Sequence, residues 1–146
     1  MELDTDLGAL FMLAGMIAFL RLLPVLDGWG SLAARYRTAK GDGGEVFRFA
    51  WARARGVNLN VSVLVTPAGL GIRVWAPWHP PIFVPWSEMV YCKPAGLFSG
   101  SARLLCRHAE SVPIYLFGRP GRAAVAAWVR NRTGTPSNGV TAPRRV

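Results

Sequence analysis

VNLNVSVLVTPAGLGIRVW, residues 57–75, decides the fold class. Leu59, Val61, Val63 and Val65 alternate with Asn58, Asn60 and Ser62. That period of two sends one side of a β-strand into a core and the other into water. Thr66-Pro67-Ala68-Gly69 follows as a turn in which Pro fixes φ and Gly supplies a positive φ, and Leu70 to Trp75 returns as a second strand. Two such runs around a turn read as an antiparallel hairpin.

Upstream of the hairpin, Phe47, Phe49 and Trp51 share one strand face, Arg48 and Ala50 share the other, and Gly56 turns the chain. Downstream, a Pro-rich loop at 76–81 leads to Ile82-Phe83-Val84, and the strand pattern resumes after Pro85 around Met89–Cys92. A last strand pair, 102–108 and 112–117, brackets Ala109-Glu110-Ser111. Residues 119–132 have helical spacing, with Ala124, Val125, Trp128 and Val129 as the apolar stripe. The expected fold class is mainly β with flanking helices: about seven antiparallel strands in a sandwich or partly open barrel, its mouth covered by the C-terminal helix.

The amino-terminal side is different in kind. Leu7 to Leu20 carries no charge, and Leu22 to Leu26 extend the apolar run beyond Arg21. Twenty such residues span about 30 Å as a helix, the thickness of a bilayer core, with Arg21 snorkelling to the headgroups and Pro24 ending the helix. The acidic start and the lack of a small-residue cleavage site argue against a signal peptide, leaving an uncleaved transmembrane anchor as the expectation and a buried hairpin helix as its alternative. Residues 29–39 form a short amphipathic helix through Leu32, Ala33 and Tyr36, with Ser31 as N-cap, and Gly41-Asp42-Gly43-Gly44 breaks the chain.

The 146 residues suit one folded body, and 51% hydrophobic content excludes a disordered chain. The formal charge of +9 is unevenly spread. Residues 1–26 hold three acids against one base, whereas residues 27–146 hold sixteen bases against five acids. By the positive-inside rule the body faces the cytoplasm, giving a single-pass protein of the inner membrane with its N-terminus outside. The expected organisation is an anchor at 1–27, a juxtamembrane helix and linker at 28–44, the β-domain at 45–132 and a disordered tail at 133–146.

Seven strands followed by one amphipathic helix resembles the element order of pleckstrin-homology-like domains, GRAM-type and bacterial versions included. The segment from His79 to Met89, with Pro80-Pro81-Ile82-Phe83-Val84-Pro85-Trp86, is similar to a stretch of small bacterial membrane-anchored proteins. Gly28-Trp29, Leu32-Ala33 and Tyr36 match a second segment of those proteins. The resemblance covers residues 28–132 and implies a binding, scaffolding or envelope role without catalysis. Arg48, Arg53 and Arg55 resemble the basic layout of lipid-headgroup-binding members, although Arg48 faces away from the other two on an extended strand.

The remaining constellations are modest. Cys92 and Cys106 read as buried free thiols, and they lack with His79 and His108 the spacing of a metal site. No cofactor and no metal is expected. Arg48, Arg53, Arg55, Arg119 and Arg122 are the candidates for lipid-surface or anion contact, the last two at a helix N-terminus. Trp75, Trp78, Pro81, Phe83 and Trp86 are the candidates for a partner-protein surface. Dispersed basic residues without a recognition helix argue against nucleic acid. The expected function is a non-catalytic module at an anionic lipid surface that recruits a protein partner; the alternative is an accessory subunit of a membrane complex, or a small enzyme.

Overall fold

The computed structural model describes residues 3–26, 28–37, 43–96 and 100–134. Helices α1 (Leu3–Leu26) and α2 (Trp29–Tyr36) precede strands β1 (Glu45–Ala54), β2 (Val57–Val65), β3 (Gly69–Val74) and β4 (Ile82–Pro85). A 3-10 turn at Trp86–Glu88 leads to β5 (Met89–Pro94), β6 (Ala102–Cys106) and β7 (Ile114–Leu116), and α3 (Arg119–Arg132) closes the order. The strands form one antiparallel sheet, β4-β3-β2-β1-β7-β6-β5, curled into a near-barrel. Seven strands followed by a helix is the expected element order. The tail expected to be disordered lies, from residue 135 on, outside the described residues.

The β2 alternation holds: Leu59, Val61, Val63 and Val65 are buried in one core with Ile72, Val74, Leu104 and Leu116. Turn 66–69 is tied by the Thr66 hydroxyl, which donates to the Gly69 carbonyl at 2.9 Å and accepts from the Gly69 N–H at 3.0 Å. Gly69 does not take the expected positive φ. Its hydrogen is needed for close approach, since a Cβ there would lie 2.4 Å from the Val84 carbonyl oxygen.

Three sequence expectations need correction. In β1 the register shifts between Phe47 and Ala50, so Phe49 and Trp51 face solvent while Ala50, Ala52 and Ala54 enter the core. The bulge is made by Phe49 at φ 56°, a left-handed conformation that costs a non-glycine residue about 1–2 kcal/mol. Helix α2 begins at Trp29 behind a left-handed Gly28, which leaves Ser31 inside the helix instead of at its cap. On α3 the buried face is Ala124, Ala127 and Trp128, and Val129 is exposed.

The two shorter helices seal opposite ends of the barrel. α3 lies over the end where β2 and β7 finish and β6 begins; Trp128 Nε1 donates to the Met89 carbonyl at 3.3 Å, and Asn131 Nδ2 to the Pro67 carbonyl at 3.0 Å. α2 lies over the other end. There Trp29 Nε1 donates to the Pro80 carbonyl at 2.8 Å, and the Tyr36 hydroxyl receives a long 3.5 Å contact from the His108 N–H.

α1 reaches the body at the α2 end. It continues through Pro24 to Leu26, past the expected stop. Among the described residues no helix is long and apolar enough to cross a membrane, so the expected transmembrane span is not found. The helix has 24 residues, about 36 Å at 1.5 Å per residue. Between residues 7 and 22 its side chains are almost all exposed, with Phe11 72% and Met12 79% in the open.

Candidate functional site: an arginine and tryptophan cleft

The bulge in β1 and the loop between β3 and β4 together build a cleft of about 840 Å³ on the outer face of the sheet, running toward the α2 end. Its floor follows from strand alternation. Ser62 and Arg73 are register partners on β2 and β3, so both point outward when Val61, Val63, Ile72 and Val74 point in. Arg48 joins them from the bulge, and Arg37 enters from the end of α2.

The wall is aromatic. Trp75 is held at the end of β3 by its N–H, which donates to the Asn60 carbonyl at 3.0 Å. Phe49 stacks on its ring, with centroids 4.9 Å apart and planes 14° from parallel. The strained φ of Phe49 is what turns that ring outward to Trp75. Trp78 and Pro81 complete the wall from the loop, which His79 anchors by packing edge-on against buried Trp29 at 6.1 Å. No Asp or Glu lines the cleft, and none of Arg37, Arg48 and Arg73 pairs with a carboxylate among the described residues. A concave surface with three guanidiniums that meet no carboxylate among the described residues, and two exposed indoles, suits an anionic group attached to an apolar or planar body.

The structure distributes the sequence candidates unevenly. Arg48, Trp75, Trp78 and Pro81 meet in this cleft although the sequence placed them in two separate surfaces. Arg53 lies on the outer face of the β1–β7 pair, where its Nε donates to Asn58 Oδ1 at 2.8 Å. Arg55 sits in the β1–β2 turn close to Gly28. Arg119 and Arg122 are exposed at the α3 end, Arg122 extending over Gly100, so the five arginines do not form one surface.

Phe83 and Trp86 correct the expected partner surface. Both are buried: Phe83 packs over Gly69, on the opposite face of β4 from core residues Ile82 and Val84, while Trp86, in the 3-10 turn after β4, enters the core and its Nε1 donates to the Thr66 carbonyl at 2.9 Å. Arg37, Ser62 and Arg73 were missed. Arg73 was legible as the outward member of the Leu70–Trp75 alternation; nothing in the sequence brings Arg37 beside it.

The His108 imidazole meets Glu88 Oε2 at 3.3 Å near Tyr36, whose phenol is held above its ordinary value mainly by burial. Cys92 and Cys106 are buried free thiols, each pushed up to about 12, chiefly by loss of water. Thiols so protonated are poor nucleophiles. Among the described residues no three His, Cys, Asp or Glu side chains gather to hold a metal.

No protein-family model matches the sequence, and no curated protein does. Among solved structures the chain is similar to one described as the PH domain from PfAPH, at 14% identity, covering 60% of this chain and 78% of that chain with a TM-score of 0.41.

Proposed function

We propose that this chain is a membrane-associated, non-catalytic binding module in which α1 provides attachment and the cleft contacts the anionic lipid surface beside it. The observation that carries the reading is the joint placement of two features at one end of the barrel. An apolar helix exposed on every side leaves from the α2 end, and the cleft with Arg37, Arg73, Trp75 and Trp78 runs to that same end. Exposed apolar surface of this extent calls for apolar cover, and each fully buried Leu or Phe side chain gains about 1.5–3 kcal/mol.

Indoles favour the headgroup level, and each basic residue near an anionic surface adds about 1 kcal/mol. Three arginines in the cleft therefore supply about 3 kcal/mol, enough to orient the body though not to hold it alone. A protein partner would then meet the surfaces that point away from the lipid.

Flotation with vesicles tests this directly. The full chain is expected to float with neutral and anionic vesicles alike, and more completely with anionic ones. The Arg37→Gln, Arg48→Gln, Arg73→Gln triple variant should keep the first property and lose the second. A full chain that remains soluble and monomeric without lipid or detergent would overturn the reading.

A further inference from the structure

A second charged surface lies outside the cleft. Strand register lines up Lys93, Arg103, Tyr115, Arg53 and Asn58 in one row across β5, β6, β7, β1 and β2, with each residue the partner of the next. Tyr91 stands two residues before Lys93 on the same outer face. The core-facing residues between them, Cys92, Leu104 and Ala52 among them, are buried.

The row is chemically unusual. Lys93 and Arg103 are directly opposite each other, a pairing of like charges that destabilises a sheet. No carboxylate among the described residues pairs with either of them or with Arg53. The tyrosines hold the cations instead: Lys93 Nζ is 5.3 Å from the Tyr91 ring centre, and the Arg103 guanidinium is 6.0 Å from both the Tyr91 and Tyr115 rings. These contacts keep two long side chains over the sheet, which lowers the entropy a partner must remove on binding. They also occupy the aromatic rings, which disfavours stacking of nucleic-acid bases.

Position sets the Lys93–Arg103 part of the row apart from the membrane that α1 would enter. Lys93 and Arg103 lie where β5 finishes and β6 begins, at the α3 end, opposite the end where α1 joins. This step rests on the proposed role of α1. We infer that the row is a docking surface for an extended acidic segment of a partner protein. Strands are about 4.8 Å apart, so Lys93 and Arg103 can share one carboxylate, while Arg53, two strands beyond Arg103, is about 10 Å away. A segment in the polyproline II conformation advances about 3.1 Å per residue with three residues per turn, so a second carboxylate three residues from the first lies about 9 Å along on the same side.

The test uses the full chain in neutral detergent and fluorescein-labelled peptides carrying two glutamates three residues apart in a Ser/Thr background. Salt-sensitive binding is expected, weakened about tenfold or more by Arg103→Glu and by Lys93→Glu. The cleft variant Arg48→Glu should bind as the parent does, which separates this surface from the proposed lipid site. Circular dichroism identifies a variant that has merely unfolded. For that case Arg53→Gln, a milder change on the same row, is expected to weaken binding of the two-glutamate peptide while leaving a one-glutamate peptide unaffected. Equal binding of a glutamine-substituted peptide, or insensitivity to all three row substitutions, would overturn the inference. So would tighter binding of an oligothymidylate than of the peptide at the same residues.

Discussion

Phe49 shows most clearly how a single residue shapes the cleft. Its φ of 56° is unfavourable for any side chain with a Cβ, yet it turns the ring out onto Trp75. Phe49→Gly removes about 1–2 kcal/mol of strain and loses a stacked pair worth about 0.5–1.5 kcal/mol. The urea midpoint is therefore expected to move little, while the preference for anionic vesicles falls; a large loss of stability would show that the ring acts mainly as packing. The thiols support a second prediction. Both fold with a value near 12 against an ordinary 9.0, so the folded state retains its protons longer than the unfolded chain. The stability that follows is complete below pH 9 and is lost as pH rises toward 12. Denaturation midpoints followed through that window should fall more steeply in the parent than in a Cys92→Ala, Cys106→Ala variant. At pH 8 neither thiol should react with a disulfide reagent until the chain unfolds.

Between elements, the seal made by α2 depends on one glycine and one indole. A Cβ on Gly28 would lie 2.8 Å from Val112 Cγ2, at a φ of +77° that side chains rarely adopt. Gly28→Ala should cost about 1–3 kcal/mol. Trp29→Phe, which removes the Nε1–H donated to Pro80, should cost about 1 kcal/mol or more, both read from urea unfolding. The legible part of the fold was carried by simple periodicity: β2, β3 and α3 were found because Val and Leu recur at strand or helix spacing. The outward turn of Phe49 and Trp51 was not legible, since a one-residue bulge inverts the faces without changing composition. For the same reason the cleft was read as two unrelated groups, one basic and one aromatic. Pro85 and Trp86 misled in another way, because an exposed Pro-rich motif and a core-closing one have the same letters, and only the hydrogen bond from Trp86 to Thr66 separates them.

At the scale of the whole molecule the two ends of the barrel differ. One carries α2, the root of α1 and the tryptophan cleft; the other carries α3 and the Lys93–Arg103 pair. A chain beginning at Gly28 keeps every element of the barrel and both sealing helices, so it should fold, remain monomeric without detergent and lose stable attachment to vesicles. Orientation is then the central claim, and site-specific labelling reads it most directly. An environment-sensitive fluorophore is placed by Trp75→Cys or Arg130→Cys in the full chain bound to anionic vesicles, the buried native thiols staying unlabelled. The account predicts that the label at 75 shifts to the blue and becomes protected from an aqueous quencher, while the label at 130 remains fully quenched. Equal quenching at both positions, or protection at 130 alone, would contradict it.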